Sequence, residues 1–475
     1  MPDLRRQVLE SGKTISRKAA SREGSRRNSH ANSAQNSHQS SRNASRHPSD
    51  EEDAGNLSDD TALSIGSLDD LTDNPEVDNN NWTQELGDVI QDILDRKRSS
   101  VLSREECYGA FCRLLKCHYA EEHIRNHVND LLVAFCRSVK FESSVREATL
   151  ALRALELLVI TAFDNTIYEN VEPVLTRTIR DSTSNPVKAA ALHCLSACTI
   201  FGGAGEDGIL DQMTFFLDIA ASDGQSIDAA DDPSSVTAAL QEWGVLAVEI
   251  EDLEGESEDA IQIFMDQLNS SESSVQIAAG ENIALLYEKS YTPQEDEDDE
   301  VSEDDLEDEA LSDRQGPRLI KRYDAYHNTH ELELQLQSLA TVHSKRISKK
   351  DKKSLHSNFA SILTTIENPR RGPMYNTAID QDTNRHYGSK LTVKIGRQGV
   401  MNIDRWWKWI RLNSLRRILQ GGFAVHYYQG NRAVLDSLPV MVRQSTPADR
   451  GTAKRTTKSR NSRRWAVHGQ SDEDY

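Results

Sequence analysis

The sequence predicts an all-α protein: a HEAT/armadillo-like helical-repeat solenoid with a small, mostly helical, basic C-terminal module and disordered tails. Three observations lead there. From Trp82 to about Tyr291 apolar residues recur at the spacing of amphipathic helices, with few prolines. Within that stretch a Ser-Ser-Val tripeptide or a near relative keeps returning, with valines at 101, 145, 187, 236 and 275, a spacing of 44, 42, 49 and 39 residues. That is the period of two- or three-helix repeat units. Over the full chain, a hydrophobic content of 37% and a mean hydropathy of -0.63 leave too few apolar side chains for all of it to be core.

Taken in order, residues 1–81 form an arm. Positions 11–50 are dominated by Ser, Arg, Asn and His, with almost no large side chain to offset the entropy of ordering the backbone. Positions 51–81 carry ten acids and no Lys or Arg. "SRRNS" (25–29) and "KSRNS" (458–462) place serines after arginines as basophilic kinases prefer, although such short matches are common in Ser/Arg-rich tails. The solenoid follows over 82–291. Each tripeptide opens a helix, a Ser or Asn oxygen capping the first free N–H groups, and an amphipathic run follows, such as "REATLALRALELL" (146–158). Ala148, Ala151, Ala189, Ala190, Ala278 and Ala279 fall where neighbouring helices must come close. A single pair cannot bury its own apolar face, so the units stack.

Residues 292–316 read as an acidic linker, since "QEDEDDEVSEDDLEDE" holds twelve acids and no base. The basic module spans 317–444, with a helical "HELELQLQSLATVHSKRISKKDKKSLHSNFASILTTIE" (330–367), a Pro/Gly break at 369–373 and a strand-like "LTVKIG" (391–396). Residues 445–475 are a disordered basic tail. The formal charge of -21 conceals this asymmetry: 82–294 alone carries -21, whereas 311–475 carries +16. A basic segment on an acidic chain points to an anionic partner.

"MPDLRRQVLE" is followed by polar residues where a secretory signal needs an apolar run, and no eighteen-residue uncharged apolar stretch exists, so neither secretion nor a membrane span is expected. The six cysteines fall in helical patterns, which fits a reducing, intracellular compartment.

Candidate chemistry is thin. Gly203, Gly205 and Gly208 satisfy G-x-G-x-x-G, but the preceding residues belong to a repeat helix and Glu206-Asp207 would set carboxylates beside a phosphate, so a loop between helices is expected. His123 and His127 share a helical face near His118 and Cys117, but lack the glutamate of H-E-x-x-H. Cys194 and Cys198 read as small core residues. No catalytic grouping, cofactor or metal is expected.

The segment "IDRWWKWIRLNSLRRILQGG" (403–422) concentrates three of the six tryptophans among five bases. Ile403, Trp407 and Ile410 form one stripe and Leu412, Leu415 and Leu419 a second, with Asn402 or Asp404 to cap the helix and Gly421-Gly422 to end it. Two stripes mean two covered sides, so the rings are structural and no membrane surface is expected.

The block "VKIGRQGVMNIDRWWKWIRLNSLRRILQGGFAVH" (393–426) resembles the C-terminal domain of the interferon-related developmental regulator family. That family's K-[FI]-G-R turn, aspartate-x-tryptophan helix start and I-R-L-x-x-L-R-R-[VI]-L-x-x-G-F-x-x-H run are matched by Lys394, Gly396, Arg397, Asp404, Trp406, Ile410, Arg411, Leu412, Leu415, Arg416, Arg417, Leu419, Gly422, Phe423 and His426. "KKDKKSLHSNFASILTTIE" (349–367) resembles its basic element, with Ser357 where arginine is usual and Phe359 retained, and 82–290 resembles its armadillo-like domain. The resemblance implies a non-enzymatic regulator, either a transcriptional co-regulator bridging transcription factors and corepressors or a ribosome-associated repressor, in nucleus and cytoplasm.

Two binding surfaces are therefore expected. The concave solenoid would hold a basic peptide or helix of a partner protein. Lys349, Lys350, Lys352, Lys353, Lys394, Arg397, Arg411, Arg416 and Arg417 would contact RNA or the ribosome, while Trp406, Trp407, Ile410, Leu415, Leu419 and Gly422 hold the C-terminal module together. The acidic linker is expected to mask the basic module until a polyanion competes.

Overall fold

The computed structural model describes residues 81–96, 99–162, 164–294, 319–341, 349–379, 386–389, 391–395, 399–438 and 441–442. The arm up to residue 80, the acidic run 295–318 and the tail beyond 442 lie outside the described residues.

Helices pair into two layers. The outer row holds α1 (Trp82–Leu94), α4 (Val128–Phe141), α6 (Ile167–Asp181), α8 (Glu206–Ala221), α10 (Glu254–Gln267) and α12 (Thr329–Thr341). Each is followed by its inner partner: α2 (Val101–Cys117), α5 (Val145–Ala162), α7 (Asn185–Phe201), α9 (Pro233–Glu249), α11 (Ser273–Lys289) and α13 (Lys349–Glu367). A short α3 (Glu121–Ile124) connects α2 to α4. Each inner helix packs on its outer partner and on the next inner helix, the arrangement of a helical-repeat solenoid.

The recurring tripeptides start the inner helices, but the caps are not uniform. Ser100 Oγ accepts the Ser103 N–H, and Ser144 Oγ accepts the Glu147 N–H at 2.9 Å. In α9 the cap is Asp232, one residue before Pro233, because proline fixes the first helical φ and moves the cap upstream of Ser234. The alanines singled out for close approach are small because they sit at the crowded seam, with Ala148, Ala151 and Ala279 fully buried.

The sixth unit extends the solenoid beyond the sequence expectation. Rather than belonging to a separate module, α13 packs on both α11 and α12 and buries Leu355, Phe359, Ile362 and Ile366, a 4,3,4 stripe. Gly280 on α11 makes room: a Cβ there would lie 2.7 Å from Ile362 Cδ1. The acidic run stands in the chain between α11 and this last unit, and the residues on either side of it pair, β1 (Tyr291–Pro293) running antiparallel to β2 (Leu319–Lys321).

Beyond α13 the chain forms a small mixed block. A hairpin of β3 (Tyr375–Ile379) and β4 (His386–Ser389) precedes a three-stranded antiparallel sheet of β5 (Thr392–Ile395), β6 (Gly399–Asn402) and β7 (Met441–Val442). Between β6 and β7 lie α14 (Trp406–Leu419), α15 (Phe423–Tyr428) and α16 (Arg432–Ser437). Of these strands the sequence pointed only to β5, because the others are short and most lack alternation.

Gly203, with φ of 88°, sits in the turn between α7 and α8, where a Cβ would strike the Asn165 backbone; no strand precedes it, so the G-x-G-x-x-G is a helix-ending turn. His118 stacks on Trp82 with centroids 4.3 Å apart, and His123 tilts against the same ring. Among the described residues no group of three or more His, Cys, Asp or Glu could hold a metal ion, and no helix is long and apolar enough to cross a membrane.

Candidate functional site

The face of the inner helices turned away from the outer row, the natural seat for a partner peptide, is occupied by α14. It runs across the repeats from α11 over α9 to α5, and the turn after it reaches α2.

Each inner helix it crosses offers a carboxylate or a cation to a different part of it. At the N-terminal end neither Asn402 nor Asp404 caps the helix. The helix begins at Trp406 and its N-cap residue Arg405 makes no side-chain cap. The Glu288 carboxylate of α11 takes that role, accepting the Trp406 N–H at 2.8 Å and the Trp407 N–H at 3.1 Å, where the helix dipole favours negative charge. One turn along, Glu281 of α11 accepts the Trp409 indole N–H at 2.9 Å. Then Glu249 of α9 pairs with Arg411 at 2.5 Å, and Glu242 of α9 with Arg417 at 2.5 Å. Glu156 of α5 approaches Arg417 at 3.5 Å and is held by Arg153 at 2.5 Å. Arg153 in turn donates to the carbonyls of Arg417 and Ile418, at the helix end where free carbonyls favour a cation.

The far end is fixed by close backbone approach. Lys116 of α2 donates to Gln420 Oε1 at 2.7 Å, and Gly422 lies so near that a Cβ would come within 1.9 Å of the Lys116 carbonyl oxygen. His426, fully buried, bonds the Leu115 carbonyl at 2.7 Å, and Asn431 donates to the Ile160 carbonyl at 3.1 Å.

Burial sets the electrostatics. It pushes Glu281 up to about 7 against the opposing indole bond, and Glu288 up to about 7 against Arg405 and the two amides. Glu242 suffers the same desolvation, but Arg417 and His193 outweigh it and hold the carboxyl below the usual range. Burial likewise lowers Lys116 and His426.

The residues singled out from the sequence are distributed differently from expectation. Trp406, Ile410, Leu415 and Leu419 are buried, while Trp407 is half-buried against the core with Lys408 over its ring. Trp406 goes deepest, its indole N–H donating to Thr365 Oγ1 of α13 at 2.7 Å. Arg411 and Arg417, expected to face a polyanion, pair with carboxylates of the solenoid instead, each mostly buried in the groove; Arg416 is half-buried beside them. Lys349, Lys350, Lys352 and Lys353 lie on the first turns of α13 and Lys394 on β5, but their side chains, like all of Arg397, lie outside the described residues.

These carboxylates stand in no motif of their own. A signal existed: Glu242 and Glu249 follow the repeat valine Val236 by six and thirteen residues, and Glu281 and Glu288 follow Val275 by the same intervals. Seven residues is about two helical turns, so each pair shares one face.

The model of the interferon-related developmental regulator family matches residues 40–367, a match that ends where α13 ends and does not reach α14. An uncharacterized protein of Schizosaccharomyces pombe is 26% identical over 372 residues, covering 77% of this chain and 76% of its own length.

Proposed function

Because the chain belongs to the interferon-related developmental regulator family, we propose that it is a non-enzymatic scaffold binding regulatory proteins as a transcriptional co-regulator, working in nucleus and cytoplasm. Family membership supports a regulatory, protein-binding role. The observation that carries the finer reading is the closed groove. With α14 in the seat, the proposal places partners on the outer row and the solenoid ends, the surfaces this packing leaves open. The excess of acids over 82–294 selects basic partners such as transcription-factor or histone-like tails. Affinity purification of the full chain with mass spectrometry, with and without ribonuclease, tests it. The proposal expects transcription-factor and corepressor proteins that persist after ribonuclease; a bound set that is ribosomal and vanishes with RNA contradicts it.

The second reading, ribosome or RNA association as a translational repressor, is favoured by four lysines within five residues at the start of α13 and by the +16 of residues 311–475. In this reading Arg411 and Arg417 hold α14 in place and the lysines meet the phosphates.

A further inference from the structure

At the end of the solenoid opposite the last unit, three arginines converge on one cleft of about 280 Å³, lined by Arg96, Arg104, Arg137 and Phe141. On a segment with a charge of -21 this is an unusual concentration of positive charge. Two of the three are fixed. Arg104 donates to both oxygens of the buried Glu147, at 2.7 and 2.9 Å. Arg96 donates to Tyr108 Oη at 3.0 Å, the Ala134 carbonyl at 3.1 Å, Ser138 Oγ at 2.6 Å and Glu147 at 3.4 Å. One carboxylate thus sits behind two guanidiniums, and the cleft keeps a net positive charge on a rigid frame. Arg137 is exposed, its guanidinium 5.7 Å from the Phe141 ring centroid.

The cleft continues into an apolar ridge. Val133, Arg137 and Phe141 follow one another at intervals of four along α4, which places them on one face, and Val133 is 70% and Phe141 65% exposed. A ligand for this surface needs carboxylates or similar anions close to apolar side chains.

The chain carries such a segment next door. Residues 57–71 read "LSDDTALSIGSLDDL", with Asp59, Asp60, Asp69 and Asp70 set among Leu57, Leu63, Ile65, Leu68 and Leu71, and no base. The described chain begins at Asn81, and Trp82 stacks on His118 and tilts on His123, so the arm leaves beside the end of α2 and α3, the residues that lead into α4. From there to Arg96 is the length of α1, roughly 20 Å at 1.5 Å per residue. The nine residues between Leu71 and Asn81 span up to about 30 Å when extended. The reach is sufficient, and the ridge on α4 lies along the way.

We propose that residues 57–71 dock in cis on the Arg96, Arg104, Arg137 and Phe141 cleft, the leucines and isoleucine against Phe141 and Val133 and the aspartates against the guanidiniums. The arm then covers this face until something displaces it.

A fluorescent peptide of residues 55–73 tests the proposal against three full-length proteins: the intact chain, a chain lacking 57–71, and that deletion with Arg137→Glu. Binding to the deletion variant is expected, weakening as salt rises. Binding to the intact chain should be weaker by roughly tenfold or more, because the tethered segment competes at high effective concentration. Arg137→Glu, an exposed change that leaves the core intact, should weaken peptide binding by roughly tenfold or more as attraction turns to repulsion. No binding to the deletion variant, or equal binding with and without Arg137, overturns the proposal. Equal binding to the intact and deleted chains also overturns it, showing a cleft that takes acidic apolar peptides from a partner and not from its own arm.

Discussion

Arg417, in the last turn of α14, meets Glu242, in the middle of α9, at 2.5 Å, with the glutamate side chain 1% and the arginine side chain 19% exposed. The pair joins the C-terminal block to a repeat helix, and its carboxylate is buried. Removing one partner strands a buried charge. Glu242→Leu should therefore cost about 3–5 kcal/mol, while Glu242→Leu with Arg417→Met should recover much of that loss. Urea denaturation of the two variants checks both statements.

Trp406 should be the energetically dominant tryptophan of its segment. Trp406→Ala removes a nearly fully buried ring and its bond to Thr365, at a cost of about 3–5 kcal/mol. Trp407→Ala, at a half-buried site, should cost clearly less. Comparing the denaturation midpoints of the two variants orders them.

Gly422→Ala places a Cβ within 1.9 Å of the Lys116 carbonyl oxygen, a contact with backbone that no rotamer can relieve. The expected cost is about 1–3 kcal/mol. Hydrogen exchange should show faster exchange in α15 and in the last turn of α2, with α11 unaffected.

The grip on α14 should loosen with rising pH. Glu281 and Glu288 have folded-state values of about 7, above the 4.5 of a free carboxyl, so folding favours their protonated forms. Their contribution is fully present below about 4.5 and is lost as pH rises through about 7. Glu242, held low, works oppositely, its contribution being lost as pH falls through its depressed value. Lys289, lowered to about 8 by burial, stays largely cationic below pH 7 and begins to lose its proton only at the top of the range from 5.5 to 7.5. The buried His426 and the half-buried His118, both held below the usual imidazole range by burial, oppose the effect of Glu281 and Glu288 by favouring the folded state as pH rises. Glu281→Gln with Glu288→Gln, which keep an acceptor oxygen, should therefore shift the pH slope of stability between pH 5.5 and pH 7.5 upward relative to the intact chain. Urea midpoints at the two pH values measure it.

If the chain binds RNA, replacing Lys349, Lys350, Lys352 and Lys353 with Ala should weaken binding across sequences and lower the salt slope by roughly 0.7 per lost phosphate contact. Arg411→Ala should instead lower stability, since its guanidinium is engaged with Glu249. Deleting 295–310 should raise RNA affinity if those acids mask the lysines. Filter binding across a salt series reads the two affinity changes, and urea denaturation the stability change.

Much of the solenoid was legible because a repeat writes its period into the sequence, and the serines and valines that start inner helices stand out from the amphipathic runs around them. The sixth unit was obscured for local reasons: its inner helix opens on lysines without the recurring tripeptide, and the acidic excursion separates it from α11. In the groove, the apolar stripes of α14 were visible, and they correctly require two covered sides. Their destination was not, because Glu242 and Glu288 look like any helical glutamate until tertiary packing removes them from water. The arginines misled for the same reason, since a guanidinium facing solvent and one facing a buried carboxylate are written identically.

Hydrogen exchange of α14 in the intact protein tests the seated helix most directly. Amides of residues 410–419 should exchange as slowly as those of α9, and both should accelerate when Glu242 is changed to Leu. Exchange of 410–419 within seconds in the unmodified chain, with α9 still protected, would contradict a helix seated in the groove.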